Sequence, residues 1–347
     1  MTDFFTGKND FNVLFFCWLC MQFHTEIMPD SLPCRIEIAD RIVTVGSCFA
    51  DAMGQHLTDH KLTVLNNPFG TIFNPVSIAK LLMMALRGQA PDERLYVERD
   101  GIWLHHDFHS SCWATSKDDL RATLTTKLTD VGEAVRQADW LFITLGTAVV
   151  HRQTETGAVV ANCHKAPASQ FEKYLYQIDH MRDSLTKLLK LLRWVNPGLR
   201  VVLTVSPVRH IRDGLTVNGA SKALLRTVCH ELAVWHDWVS YFPAYEIMQD
   251  DLRDHRFYEA DMIHPNAQAQ EYIFGKFADC AFSSELSRFV ADWSAIRRDL
   301  NHRPLHGMTD GYQNFLHSLL AKLEALQPGA DVSAELATVR SRLFDYV

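Results

Sequence analysis

No run of lysine or arginine stands out in the 347 residues, and the formal charge is −7. Nucleic-acid recognition requires clustered positive charge, so that class is set aside. No internal repeat and no low-complexity tract appears either. Long apolar runs are also missing. Residues 13–21 have the core length of a signal peptide, but they are too short to span a bilayer and lack a basic leading segment and an A-x-A cleavage site. No stable membrane insertion is expected. A second start is available at Met21, in MQFHTEIMPDSLP, so residues 1–20 read as an upstream extension outside the fold. An uncleaved membrane-proximal segment is the other reading.

The eight cysteines form no second C-x-x-C beyond Cys17 and Cys20. One such pair does not complete a zinc site, and this one follows no strand of a βαβ unit, as a redox pair should. The pair reads as two apolar thiols, and the chain as one of a reducing cytoplasm. No cofactor and no metal are implied.

What is present is an ordinary globular balance, 47% hydrophobic and 22% charged, with material for a large core. Short apolar runs ending in Gly, Ser or Pro alternate with longer segments of helical period, the pattern of an α/β fold with a mostly parallel sheet. Strands are expected at 41–45, 62–65, 140–145, 200–205 and 238–241. Helices are expected near 48–58, 75–88, 118–137, 170–194 and 219–236. In 170–194, Phe171, Leu175, Ile178, Met181, Leu185, Leu188 and Leu192 fall at steps of three and four, which predicts one apolar face. Hairpins are expected around Asp100-Gly101 and around Thr156-Gly157, as insertions on the face where ligands bind. Past about Ser283 the pattern becomes all helical, at 284–300, 310–327 and 331–345. This divides the chain into an extension (1–20), a main domain (21–283) and a C-terminal helical appendage (284–347). The appendage packs on the main domain or serves as an oligomer surface.

In a parallel sheet, ligands collect beyond the carboxyl ends of the strands. Gly46-Ser47-Cys48 follows the first strand and Asn66-Asn67-Pro68-Phe69-Gly70 the second. Gly146-Thr147-Ala148 follows the third, and Ser206-Pro207-Val208-Arg209-His210 the fourth. Beyond the fifth lies Asp261-Met262-Ile263-His264-Pro265. A serine hydroxyl needs a base to become a nucleophile, and the base works best when a carboxylate fixes its tautomer. Asp261 and His264 are close enough to meet on one turn, with Pro265 opening the next helix at its first position. Ser47 also suits a plain helix cap, and a D-x-x-H alone is often a surface loop. Together on one sheet edge they favour a Ser47–His264–Asp261 triad.

Gly46-Ser47-Cys48-Phe49-Ala50 resembles the signature of the GSCFA family, which belongs with the SGNH/GDSL-like hydrolases. Further blocks resemble that family in order: NNPFGTIFNP (66–75), LGTAVVH (145–151), VANCHKAP (160–167), TVSPVRHIRDG (204–214), SKALL (221–225) and residues 241–265. The resemblance spans roughly residues 21–280. It implies a flavodoxin-like three-layer αβα sandwich with a five-stranded sheet. It further implies ester hydrolysis or acyl transfer through a triad, with Ser47 at the nucleophile position and Asp261 and His264 at the D-x-x-H. Gly70 matches a glycine whose N–H helps hold the oxyanion. The superfamily's G-x-N departs here, since Gly146-Thr147-Ala148 has no asparagine. Thr147 hydroxyl, or Asn162 and His164 from the hairpin that follows, are the candidates to replace it. Losing one such donor typically costs about 10²–10³ in rate.

Arg209 and His210 are candidates to bind an anionic or sugar substrate, against the alternative of a loop salt bridge. His105, His106 and His109 resemble a metal cluster at first sight. In a strand, however, 105 and 109 share a face and 106 points away, so no zinc site is assigned. His109 remains a candidate pocket residue. The substrate implied is a small-molecule or carbohydrate ester, most specifically an O-acetyl ester. Two other readings stay open: Cys48 as the nucleophile at the helix start, and a non-enzymatic scaffold that binds an acylated glycan.

Overall fold

The computed structural model describes residues 25–304, 307, 309–326 and 330–344. Cys17, Cys20 and the extension expected at 1–20 therefore lie outside the described residues. In chain order the first elements are β1 (Arg41–Gly46), α1 (Cys48–Asp59), β2 (Thr63–Asn66), α2 (Pro75–Arg87), β3 (Tyr96–Arg99), β4 (Ile102–His105) and α3 (Lys117–Gln137). There follow β5 (Trp140–Leu145), β6 (Val149–Gln153), β7 (Val159–Val160), β8 (Phe171–Leu175), α4 (Ile178–Val195) and β9 (Arg200–Val205). The chain continues with α5 (Leu215–Trp235), β10 (Val239–Phe242), α6 (Ala267–Ala281), α7 (Ser284–Asn301), α8 (Asp310–Leu326) and α9 (Ser333–Phe344).

Five strands form the central sheet in the order β10-β9-β5-β1-β2, every neighbouring pair parallel. This is the flavodoxin-like order, and its direction reverses between β1 and β5. Alternation along each strand feeds two cores. Val43, Val45, Leu141, Ile143, Val201 and Leu203 face one cluster with α2, α3, α4 and α5. Ile42, Trp140, Phe142, Val202 and Phe242 face a second with α1 and α6. The result is three layers with helices on both sheet faces, as expected.

The first expected hairpin is β3–β4, antiparallel, and the second is β6–β7. The stretch expected to open the fourth helix is a strand. Phe171–Leu175 pairs antiparallel with Val149–Gln153 as β8, and the helix begins only at Ile178. The free edge of β6 offers ladder hydrogen bonds there, and backbone groups near a hairpin must find partners. Gln177, at the start of α4, makes no side-chain cap bond, so the sequence carries no boundary signal. Pro265 does not open α6 either. It forms a bridge with Tyr258, and Asn266 is the cap, its Oδ1 accepting from Ala269 N–H at 3.0 Å.

Helices α7, α8 and α9 share a small core of Trp293, Ile296, Leu316, Leu319, Leu323, Val332, Leu336 and Val339. They pack on the main domain: Trp293 Nε1 donates to Asp59 O at 2.7 Å and Lys61 Nζ to Glu335 Oε1 at 2.8 Å. Among the described residues, no helix is long and apolar enough to cross a membrane.

The β1–β5 junction is closed by Gly46, whose φ is +136° and whose missing Cβ would lie 2.1 Å from Thr144 O. Both the conformation and the space exclude a side chain. Gly46→Ala is expected to destabilise the fold by more than about 2 kcal/mol, read by denaturant unfolding. Gly101→Ala, at φ +79° in open space, serves as the comparison and is expected to cost about 1 kcal/mol.

Candidate active site

Ser47 stands where β1 hands over to α1. With φ −69° and ψ 173° it caps the helix, its Oγ accepting from Phe49 N–H at 3.3 Å. The hydroxyl thus lies at the positive end of a 12-residue helix. Asn67, held at φ +41°, grips the residue before it. Its Oδ1 accepts from Gly46 N–H at 3.0 Å, and its Nδ2 donates to Gly46 O at 3.3 Å. The chain then crosses the switch crevice as a strap. Ile72 N–H donates to Gly46 O at 2.8 Å, while Phe73 O accepts from Gly146 N–H at 2.8 Å and Thr147 N–H at 3.1 Å. Ser47 has no exposed surface in this conformation.

Asp261 and His264 occupy the loop before α6. His264 Nδ1 lies 2.7 Å from Asp261 Oδ2, and Asp261 Oδ1 accepts from the backbone N–H of Ile263 at 2.8 Å and of His264 at 3.0 Å. These bonds, that to the His264 ring first, hold the Asp261 carboxyl down to about 2. The carboxylate therefore stays ionised through the neutral range and fixes the Nδ1–H tautomer, leaving Nε2 as the basic nitrogen. Met262, between them, has φ +59°, the strained residue that turns the loop back on itself. About half of the His264 side chain is exposed. Among the described residues no hydrogen bond joins His264 to Ser47 Oγ.

The 206–210 segment packs on this loop. Arg209 N–H donates to Ile263 O at 3.2 Å, and its guanidinium lies 3.8 Å from the Tyr258 ring centroid. Arg209 thus makes the cation–π and backbone contacts of a loop brace. His210 sits edge-on to Phe73 with ring centroids 4.9 Å apart, and its Nε2 lies 3.1 Å from where a Cβ on Gly146 would be. Burial, then Lys222 and His264, push its pKa down to about 3. It is a neutral imidazole at the crevice.

The other sequence candidates divide. Gly70 (φ +71°) makes room for His109, whose ring atoms would meet an added Cβ at 2.9 Å. Gly70 N–H donates to Asn67 O at 2.8 Å and Ser47 N–H to Thr144 O at 3.1 Å. Thr147 Oγ1 lies 3.1 Å from Ser221 Oγ and accepts from Val149 N–H. Asn162 and His164 belong to a separate network: Asn162 Nδ2 donates to Ser110 Oγ at 3.2 Å, and His164 bonds Ser110 Oγ and His105 O. Burial pushes the His164 pKa down to about 4. His105 and His106 are both buried and bonded to backbone carbonyls of Asp92 and Asn162. β4 ends at His105, so His109 lies past the strand, in a turn. Cys48 packs against the α1–α6 core, and burial followed by Asp51 raises its thiol pKa.

Sequence reasoning missed Lys222, which is 1% exposed and whose Nζ donates to Gly146 O at 2.7 Å and to Ser206 O at 2.6 Å. A signal was present: Lys222, Leu225, Cys229 and Leu232 follow helical steps on the buried face of α5. A charged residue on an apolar stripe marks a buried charge.

A search of curated proteins finds no match. Among solved structures, a carbohydrate esterase family 3 protein from Talaromyces cellulolyticus is 10% identical, with 73% of this chain and 99% of that chain covered at a TM-score of 0.33. An acetyl xylan esterase from the rumen bacterium Butyrivibrio proteoclasticus is 10% identical, with 70% and 64% covered at a TM-score of 0.30. The GSCFA family model matches residues 41–277, a span that runs from β1 into α6 and holds Ser47, Asp261 and His264, and the model of the GSCFA domain protein C-terminal domain matches residues 293–345. The chain belongs to the GSCFA family.

Proposed function

We propose that this protein is a serine esterase or acyltransferase acting on O-acyl esters, with Ser47 as nucleophile, His264 as base and Asp261 as its orienting carboxylate. The observation that carries the reading is the Asp261–His264 pair, 2.7 Å apart, on the carboxyl edge of the sheet whose first strand ends just before Ser47. His264 Nε2 takes the Ser47 proton as Oγ bonds to the ester carbonyl carbon. Collapse of the tetrahedral intermediate breaks the bond to the alcohol oxygen, which leaves with the proton from His264. Water then attacks the acyl-serine by the same route and releases the acid; a sugar hydroxyl in its place completes a transfer. Catalytic hydrogen bonds are often unmade in a free enzyme and tighten with substrate, which fits a buried Ser47 and an exposed His264.

The substrate we propose is a small-molecule or carbohydrate ester, an O-acetyl ester most specifically. The raised Cys48 thiol disfavours that residue as the nucleophile, since the thiolate is the reactive form.

A fluorophosphonate probe with mass-spectrometric mapping tests the assignment. Wild type and Cys48→Ala are expected to be labelled on Ser47, Ser47→Ala to be unlabelled, and His264→Ala to react at least about 10³-fold more slowly. A well-folded wild type that takes no label would overturn the esterase reading in favour of a binding scaffold. Asp261→Asn is expected to slow labelling by about 10²–10⁴-fold while leaving the melting temperature nearly unchanged, because the pair is exposed. On an acetylated oligosaccharide, acetate release without acceptor marks a hydrolase; release that requires an added sugar marks a transferase.

A further inference from the structure

Helix α5 buries a positive charge beneath the crevice. The partners of Lys222 Nζ are carbonyl oxygens, Gly146 O and Ser206 O, which end the adjacent strands β5 and β9. Removing an ammonium from water is costly, and carbonyls compensate less than a carboxylate does. Ser221, the residue before it, holds the same block. Its Oγ accepts from Ala148 N–H at 2.7 Å and lies 3.1 Å from Thr147 Oγ1. Two consecutive side chains of α5 thus secure Gly146, Thr147 and Ala148, where the asparagine of a G-x-N is missing.

That block also presents something to the crevice. The N–H groups of Gly146 and Thr147 converge on one oxygen, the Phe73 carbonyl, at 2.8 and 3.1 Å. Two adjacent N–H groups aimed at a single acceptor form an anion-binding concavity. Lys222 bonds the carbonyl of the peptide whose N–H belongs to Thr147, and a cation on the carbonyl side strengthens that N–H as a donor.

The geometry points to Lys222 as a positioning residue that, with Ser221, fixes the Gly146 and Thr147 N–H pair as the oxyanion site of the Ser47 reaction and charges it from behind. The inference deepens the proposed esterase function and rests on it. In this conformation Phe73 O fills the site, and the opening that exposes Ser47 must also withdraw it.

The groups facing Lys222 are Cys48 from α1, His210 from the loop after β9, and the Tyr245 ring, 5.8 Å away, from the turn after β10; His264 lies beyond His210. Burial keeps the Cys48 thiol and the His210 imidazole neutral near neutral pH. Desolvation brings Lys222 down to about 7, slightly opposed by Cys48. Its charge is therefore lost as pH rises through about 7, while His264 must be deprotonated to act.

Fluorophosphonate labelling rates from pH 5 to 9 test this, with melting temperatures measured alongside. Wild type is expected to show a bell-shaped profile. Lys222→Met is expected to remain folded, react about 10²-fold more slowly and lose the alkaline limb. Lys222→Arg, which cannot titrate in this range, is expected to hold its rate above pH 8, and Ser221→Ala to slow labelling with the bell preserved. A second readout is independent of labelling. A folded pKa below the unfolded one means that the unfolded chain binds the proton between about pH 7 and the ordinary lysine range. Wild-type stability should therefore rise with pH across that window relative to Lys222→Met. A labelled wild type with Lys222→Met matching its rate and profile would overturn the inference and leave the esterase reading standing. An unlabelled wild type would overturn both.

Discussion

The close approach of β1 and β5 at Gly46 and Thr144 is the constraint on which the rest of the site depends. A parallel sheet of this order leaves a crevice where its direction reverses, and β1 and β5 are the strands on either side. A residue with a Cβ at position 46 would drive them apart. Because Gly46 lets them meet, Ser47 N–H reaches Thr144 O, Asn67 closes around Gly46 from the β2 side, and the strap of Ile72 and Phe73 spans to Gly146. Each of these hydrogen bonds contributes only about 0.5–1.5 kcal/mol net. They share one origin, however, so moving Gly46 loosens all of them together.

Much of this was legible in the sequence, and the physical reason is periodicity. β5 and β9 begin and end where the runs at 140–145 and 200–205 do, because strands covered on both faces read as near-continuous apolar runs, broken here only by Thr144, Thr204 and the leading Arg200. The D-x-x-H spacing did bring carboxylate and imidazole into contact. What stayed hidden depends on partners distant in sequence. Phe171 and Leu175 satisfy a helical period as well as a strand period, and only the free edge of β6 decides between them. The strap at 71–73 is defined by bonds to residues about 25 and 73 positions away, which no local pattern encodes. Lys222 was visible as an anomaly on an apolar stripe, but its partners are backbone carbonyls, which carry no residue signature.

The two halves of the proposed triad are built to different standards. Ser47 is fixed by the sheet, at the junction of two central strands. His264 is fixed by a turn with a positive-φ residue and half-exposed side chains, braced from outside by Arg209. Stability within a structure is graded, and segments that must move for function are drawn from its weaker end. The two proposed partners fall on opposite sides of that division: Ser47 is covered and held by the sheet, while His264 sits half-exposed on a loop.

One segment connects the halves. Ser206 O is held by Lys222 from below, and three residues on, Arg209 N–H holds Ile263 O in the loop that carries His264. The next residue, His210, leans on Phe73, whose carbonyl fills the Gly146 and Thr147 N–H pair. The ring that meets Phe73 and the N–H that holds the 261–264 loop thus lie on consecutive residues. The same five-residue segment, 206–210, thus touches Lys222, the strap and the loop that carries His264.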